Sequence, residues 1–85
     1  MTVSYVVAVK DSAVGAFNRP FFVPSIAVAT RSFVDEVNRA SEDNSMNRHP
    51  DDYELWSLGT FDDESGLFAA GDHRLVARAK DVKQG

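Results

Sequence analysis

The first apolar segment of the chain is rich in β-branched residues and spans residues 3–9. Valine favours extended backbone, and apolar residues occupy both classes of alternating positions in this segment. A strand that exposes a polar face would show the opposite, a clean alternation. The pattern therefore predicts a strand that is covered on both faces or lies centrally in a sheet.

A helical period begins after Pro24. From Ile26 to Ala40 the apolar residues recur at spacings of three and four, with charged and polar residues between them. Ser25 is a residue type typical of a helix N-cap, and the pattern predicts one helix that ends near Ala40. The preceding residues 16–24 contain two prolines and three phenylalanines. They predict an extended connector that lies on the fold as an apolar clasp, with core packing favoured over a partner surface.

The second half of the chain has the pattern of a hairpin. Residues 53–61 predict a strand, the acidic segment 62–66 ends in glycine and predicts the loop, and residues 67–70 predict the returning strand. Gly71-Asp72 is expected to break that strand. The remaining residues 73–82 fit either a short last strand or a mobile tail.

These elements together predict an α+β fold. The expected architecture is a small antiparallel or mixed sheet of three to four strands, with one helix packed on one face, in the order β-α-β-β. A chain of 85 residues allows one domain. We expect residues 1–72 to form a single α+β domain and residues 73–85 to be a basic C-terminal segment, either a last strand or a mobile tail.

Charge is unevenly distributed along the chain. The formal net charge is −4, but residues 73–85 contain four basic side chains and one acid. An acidic body disfavours nonspecific binding of duplex DNA, which depends on many phosphate contacts, whereas a local contact by the basic segment stays open. The longest apolar run, residues 5–9, is far shorter than the roughly 20 residues of a membrane span. No membrane association is expected.

Motifs for catalysis and metal binding are lacking. The chain contains no cysteine, and neither histidine has the spacing of a zinc or metalloprotease site. The acids at residues 62–64 lie in a predicted loop tip, where they are solvated and lack the burial that acid–base catalysis by paired carboxylates requires. No nucleophile elbow or glycine-rich phosphate loop is present. We therefore expect a noncatalytic protein without a metal or cofactor.

Aromatic and basic residues alternate in the connector, before the second strand and at the C-terminus. Single-stranded nucleic acid is bound by such combinations, because aromatic rings stack on bases while cations contact phosphates. The alternative is that Phe22, Tyr53 and Trp56 are core residues, since aromatic side chains dominate small cores. The predicted nucleic-acid contacts are Arg19, Phe22, Arg31, Arg48, Trp56, Arg74, Arg78 and Lys80.

Three stretches carry a family resemblance. They are Arg-Pro-Phe-Phe-Val-Pro-Ser at residues 19–25, Ala-Thr-Arg-Ser-Phe-Val-Asp-Glu-Val-Asn at residues 29–38, and the segment from His49 to Gly66. In this order they resemble the small nonstructural protein of gokushoviruses, the subgroup of the Microviridae that includes the chlamydiaphages. The resemblance covers about residues 3–68, and its most specific part is the run of histidine, proline, aspartate and tyrosine followed by Leu-Gly-Thr-Phe-Asp-Asp.

The resemblance implies a role in the replication of a circular single-stranded DNA genome in the host cytoplasm. The expected step is the switch from duplex replication to single-strand synthesis for packaging. Expected partners are the replication initiator, the procapsid or the single-stranded DNA itself, and the family supplies no catalytic residues. The alternative is a protein-interaction module or homodimer without nucleic-acid contact. The acidic body and the phenylalanine-rich connector favour this alternative.

Overall fold

The computed structural model describes residues 3–84, with the side chain of Asp72 left aside. Within that range strand residues outnumber helical residues, and a single-turn 3₁₀ helix at Pro50–Asp52 precedes the second half of the sheet. The elements in chain order are β1 (Val3–Asp11), β2 (Ala16–Phe17), β3 (Phe21–Val23), α1 (Ile26–Val37), α2 (Ser45–Arg48), β4 (Tyr53–Asp62), β5 (Phe68–Arg78) and α3 (Ala79–Val82).

The strands form one antiparallel sheet around β1. Along one edge β1 pairs with β4 over its whole length, and along the other it pairs with the short strands β2 and β3. β4 also pairs with β5, so that the order is β2-β1-β4-β5, with β3 beside β2 on β1. The predicted central position of the first strand is confirmed, and β5 forms an outer edge of the sheet in the described range.

The predicted sheet of three to four strands in the order β-α-β-β is wrong. Five strands lie within residues 3–84, because the connector 16–24 is not a clasp lying on the fold but supplies β2 and β3. Prolines confine such strands to short edge positions, since a proline cannot donate to the ladder, and Pro20 and Pro24 flank β3. Two further single-turn helices, α2 and α3, were also not predicted.

The main helix starts where the sequence predicts and ends earlier. The Ser25 hydroxyl accepts a hydrogen bond from the backbone N–H of Val28 at 3.2 Å, as an N-cap does. The helix ends at Val37 rather than near Ala40 because asparagine side chains take over its last carbonyl groups. Asn44 donates to the carbonyl of Glu36 at 2.8 Å, and Asn47 donates to that of Val37 at 2.9 Å.

The core lies between the sheet and the helices. Val7 of β1 and Leu55 of β4 are fully buried and belong to the same cluster as Phe33 and Val37 of α1. Ala79, the first residue of α3, completes that cluster on the same side of the sheet. The helices therefore cover one face of the sheet, which we call the helix face, and the residues that alternate with Val7 and Leu55 point to the other.

The C-terminal segment joins this architecture. Gly71-Asp72 had been expected to end the strand, but β5 continues through it to Arg78. The pairing between β4 and β5 shifts register between Ser57 and Gly59, and this shift accommodates the extra residues of β5. Arg74, Leu75, Ala77 and Arg78 thus pair with β4, and residues 79–82 form α3. Within the part of the chain that the structure describes, we find no helix with the length and hydropathy needed to cross a bilayer.

Candidate nucleic-acid interface

The face of the sheet opposite the helices carries most of the aromatic side chains. Because Tyr5, Val7 and Val9 of β1 pack toward α1, Ser4, Val6, Ala8 and Lys10 point the other way. Residues that pair directly with this second set share its face. From β2, β3, β4 and β5 these pairs bring the following side chains to what we call the open face: Phe17, Phe22, Glu54, Trp56, Phe61, Phe68, Leu75 and Arg78.

A cation lies among aromatic rings at one end of the open face. The Lys10 ammonium is 5.7 Å from the ring centroid of Phe17 and 5.8 Å from that of Trp56. Phe17 and Trp56 meet edge to face at 6.2 Å, and the His73 ring lies 6.0 Å from Phe17. We call Lys10, Phe17, Trp56 and His73 the cationic aromatic patch. It offers rings for stacking and a positive charge within reach of the same ligand.

The other end of the open face is apolar. Phe22, Phe61 and Phe68 form a triangle with centroid distances of 5.4, 6.0 and 4.8 Å. Phe22 is 51% exposed and Phe68 is 66% exposed, although both rings rest on neighbouring aromatic side chains. We call these three residues the phenylalanine patch. In the described range none of the cation–π contacts and ion pairs involves it.

Beside the cationic aromatic patch, the carboxylate of Glu54 holds two of its neighbours. Glu54 Oε1 accepts a hydrogen bond from the indole N–H of Trp56 at 3.1 Å, and Oε2 accepts one from Nε of Arg78 at 3.3 Å. The first contact fixes the orientation of the indole ring. The second neutralises Arg78, so that Lys10 is the main cationic contribution of this end of the face.

The structure brings three of the eight predicted contacts to the open face. Phe22 lies in the phenylalanine patch, Trp56 in the cationic aromatic patch, and Arg78 beside Glu54. The alternative that these aromatic residues belong to the core is wrong for Phe22, which is half exposed. Trp56 is only half-buried and does not belong to the buried core cluster either. Tyr53 does pack against the core cluster.

The other five predicted contacts lie elsewhere. Arg19 is in the exposed link between β2 and β3. Arg31 and Lys80 are exposed on the helices α1 and α3, whose layer covers the opposite side of the sheet, and Arg48 ends α2 and donates to the carbonyl of Glu42 at 3.1 Å. Arg74 pairs with Ser57, which pairs with buried Val7, so that the register places it on the helix face.

Sequence reasoning missed several residues of the open face, notably Lys10, Phe61, Phe68 and His73. Lys10 had been left outside the predicted first strand, and the two phenylalanines had been assigned to the two strands of the predicted hairpin without being assigned to a face. One signal was available. Apolar residues at both alternating positions of β1 required a cover on both faces, and the aromatic rings supply the second one above buried Val6 and Ala8.

The described residues do not include a cluster that would hold a metal ion. No group of three or more histidine, aspartate and glutamate side chains within this part of the chain converges as a metal site would. The acids at residues 62–64 lie at the hairpin turn as expected, and the Asp62 carboxylate accepts a hydrogen bond from the backbone N–H of Glu64 at 2.9 Å.

Comparison with known proteins assigns a family. The model of the family described as Phage ORF5 protein matches residues 4–82. This chain belongs to the Phage ORF5 protein family. The match covers all the elements from β1 to α3 except the first residue of β1, and it extends beyond residue 68, where the resemblance seen in the sequence had ended. No curated protein and no solved structure is similar enough to match. The Phage ORF5 chain is thus a phage protein.

Proposed function

We propose that this phage protein is noncatalytic, acts in viral DNA replication and binds single-stranded DNA through the cationic aromatic patch. The observation that carries the proposal is Lys10 lying within 6 Å of the rings of both Phe17 and Trp56. The sequence stretches that resemble the gokushovirus protein support an action at the switch from duplex replication to single-stranded genome synthesis and packaging. The replication initiator or the procapsid would be its protein partner.

The patch suits a flexible strand better than a duplex. Bases of a single strand are free to leave their stack and lie on exposed rings, whereas duplex bases present only their edges. Phe17 is 40% exposed and Trp56 is half-buried, so each offers a ring surface while its other side packs on the sheet. The net charge of −4 works against duplex binding, which relies on many phosphate contacts.

The test compares two phenylalanines of equal exposure on opposite faces. Phe17 is 40% exposed on the open face, and Phe21 is 39% exposed but pairs with Val7 on the helix face. We expect Phe17→Leu to weaken binding of an oligothymidylate by roughly tenfold, the equivalent of one lost stacking contact. Phe21→Leu should leave affinity unchanged. Fluorescence anisotropy of a labelled oligonucleotide measures both, and equal losses would contradict the assignment.

Salt dependence provides a second readout. The patch contributes the charge of Lys10, and Arg78 beside it is partly neutralised by Glu54. We therefore expect these two cations to contact one or two phosphates. The logarithm of the affinity should then fall with the logarithm of salt concentration at a slope of about −0.7 to −1.4. No binding at low salt would refute the DNA contact, and a steep slope would indicate that cations elsewhere in the chain dominate.

A second candidate function, the homodimer, is favoured by the phenylalanine patch. Phe68 is the first residue of the edge strand β5, and its exposed ring makes no cation–π contact with any described residue. A second copy that packs its own patch against this one would bury both. Sedimentation equilibrium over a dilution series tests this function: Phe68→Ser should shift the protein to monomers, whereas Val14→Ser, at an equally exposed loop position, should not.

A further inference from the structure

A pocket lies on the helix face, on the opposite side of the sheet from the patch proposed for DNA. It has a volume of about 280 Å³. Its walls come from residues within the range 57–60 of β4, from residues within the range 71–76 of β5 and from Ile26, the first residue of α1. Ser57 and Thr60 of β4 and Arg74 of β5 contribute its polar side chains. The register places Ser57 directly opposite Arg74 and Thr60 opposite Tyr5, whose side chain also lines the pocket.

The polar groups of this pocket are available to a ligand. Arg74 makes no ion pair or hydrogen bond with the described side chains, those of all residues from 3 to 84 except Asp72. The hydroxyl groups of Ser57, Thr60 and Tyr5 likewise have no partner among those residues. Because no buried polar side-chain atom in the described range lacks a partner, these oxygens are accessible rather than sealed in the core. No described acid lines the pocket.

The remaining wall is apolar. Ile26 and Val76 are partly buried against the core, as is the ring of Tyr5. Gly59 and Gly71 add no side chains, which leaves room over the strands. The pocket thus combines a guanidinium group and hydroxyl donors with an apolar wall, in a protein that is acidic overall.

We propose that this pocket binds the phosphate monoester of a nucleotide, with the phosphate on Arg74 and the sugar or base against Tyr5, Ile26 and Val76. A guanidinium group matches two phosphate oxygens at once, and hydroxyl groups can donate to the third. The volume is at the lower limit of small-molecule sites, which suits a single nucleotide. The site is independent of the DNA contact, because the two lie on opposite faces of the sheet.

Thymidine 5′-monophosphate is the probe, and amide chemical shifts in a ¹⁵N-labelled sample are the readout. Its addition should shift the backbone amides of Gly59 and Gly71, which line the pocket, and leave those of Phe17 and Trp56 in place. Arg74→Gln should weaken binding by roughly tenfold or more, as expected for a lost charged hydrogen bond. Arg31→Gln is the matched control, since Arg31 is exposed on α1 and does not line the pocket; it should have no effect.

Three further ligands separate the contributions. Thymidine, which lacks the phosphate, and inorganic phosphate, which lacks the nucleoside, should each bind more weakly than the monophosphate. An oligothymidylate with a 5′ phosphate that shifts the same amides, when the unphosphorylated strand does not, would identify a strand end as the source. The proposal is refuted if no shift occurs at about 10 mM nucleotide, if phosphate alone binds equally well, or if Arg31→Gln weakens binding as much as Arg74→Gln.

A conservative variant distinguishes a loss of phosphate binding from a folding defect. Arg74→Lys retains the charge but loses the two-pronged geometry, so its affinity should lie between those of the unmodified protein and Arg74→Gln. Because the exposed guanidinium has no partner among the described side chains, neither change removes a contact with any of them. Equal affinity of all three proteins for the monophosphate would overturn the assignment.

Discussion

The side-chain amide of Asn38 joins the end of α1 to Gln84, the last residue that the structure describes. Its Oδ1 accepts a hydrogen bond from the backbone N–H of Gln84 at 2.6 Å, and its Nδ2 donates to the carbonyl of Val82 at 3.0 Å. The same Nδ2 donates to the carbonyl of Val34 at 2.9 Å. One partly buried side chain therefore closes the helix and attaches the C-terminal segment to it.

Replacing Asn38 tests how much this attachment stabilises the fold. Asn38→Ala removes contacts to two segments and leaves backbone groups unpaired, so we expect the free energy of unfolding to fall by about 1–3 kcal/mol. Urea denaturation measures the change. Asn18→Ala is the control, because the exposed Asn18 side chain bonds to no described residue and only its backbone N–H is used. A loss no greater than that of the control would show that the attachment contributes little.

A close approach between β4 and β5 depends on Gly59. A Cβ atom placed there would lie 2.3 Å from the carbonyl oxygen of Ala69, and backbone cannot move aside as a flexible side chain can. Gly59→Ala should therefore destabilise the protein by about 1–3 kcal/mol or more. Gly71→Ala, where a Cβ meets nothing within 4 Å, should change stability by less than about 0.5 kcal/mol. Thermal unfolding of the two variants, followed by circular dichroism, decides; similar midpoints would contradict the steric argument.

The strong local patterns of the sequence predicted individual elements, though not the fold, where one physical signal acted alone. The two long strands β1 and β4, the helix start at Ser25 and the hairpin turn that ends in Gly66 follow from periodicity, capping and turn chemistry. The end of α1 could not be predicted this way. It depends on the carbonyl groups that Asn44 and Asn47 reach after the chain has turned back, which is a tertiary effect.

The candidate site was predicted only in part, for a related reason. Charge and aromaticity identify Trp56 and Phe22 as residues of interest, but the face that each side chain occupies depends on strand register. The bulges between β4 and β5 set that register and place Arg74 on the helix face and Arg78 on the open face. The short strands β2 and β3, which bring Phe17 and Phe22 over the sheet, have too few residues for a periodic signal.

One carboxylate in the loop after α1 has a testable titration. The Ser41 hydroxyl donates a hydrogen bond to Asp43 and holds the pKa of that carboxyl below its usual value, with the Arg39 guanidinium as a smaller contribution. Since the pKa is lower in the folded state, the stabilisation is present above the unfolded pKa and is lost as the pH falls through the folded one. Ser41→Ala should raise the pKa of Asp43, and Arg39→Gln should raise it less. Titration of the carboxyl carbon by NMR measures both; the reverse order would contradict this assignment of causes.

Glu54 is expected to oppose nucleic-acid binding, since its carboxylate lies beside the cationic aromatic patch and neutralises Arg78. Glu54→Gln keeps an oxygen that can accept the Trp56 indole N–H but removes the negative charge and releases Arg78. Affinity for an oligothymidylate should increase, by up to about fivefold if the released interaction equals that of an exposed ion pair. Glu36→Gln makes the same change of net charge on α1, on the other side of the sheet, and should increase affinity less. Titrations of both variants at low salt, where screening is weakest, give the comparison. Equal gains would mean that only net charge matters and that DNA does not lie against this end of the open face.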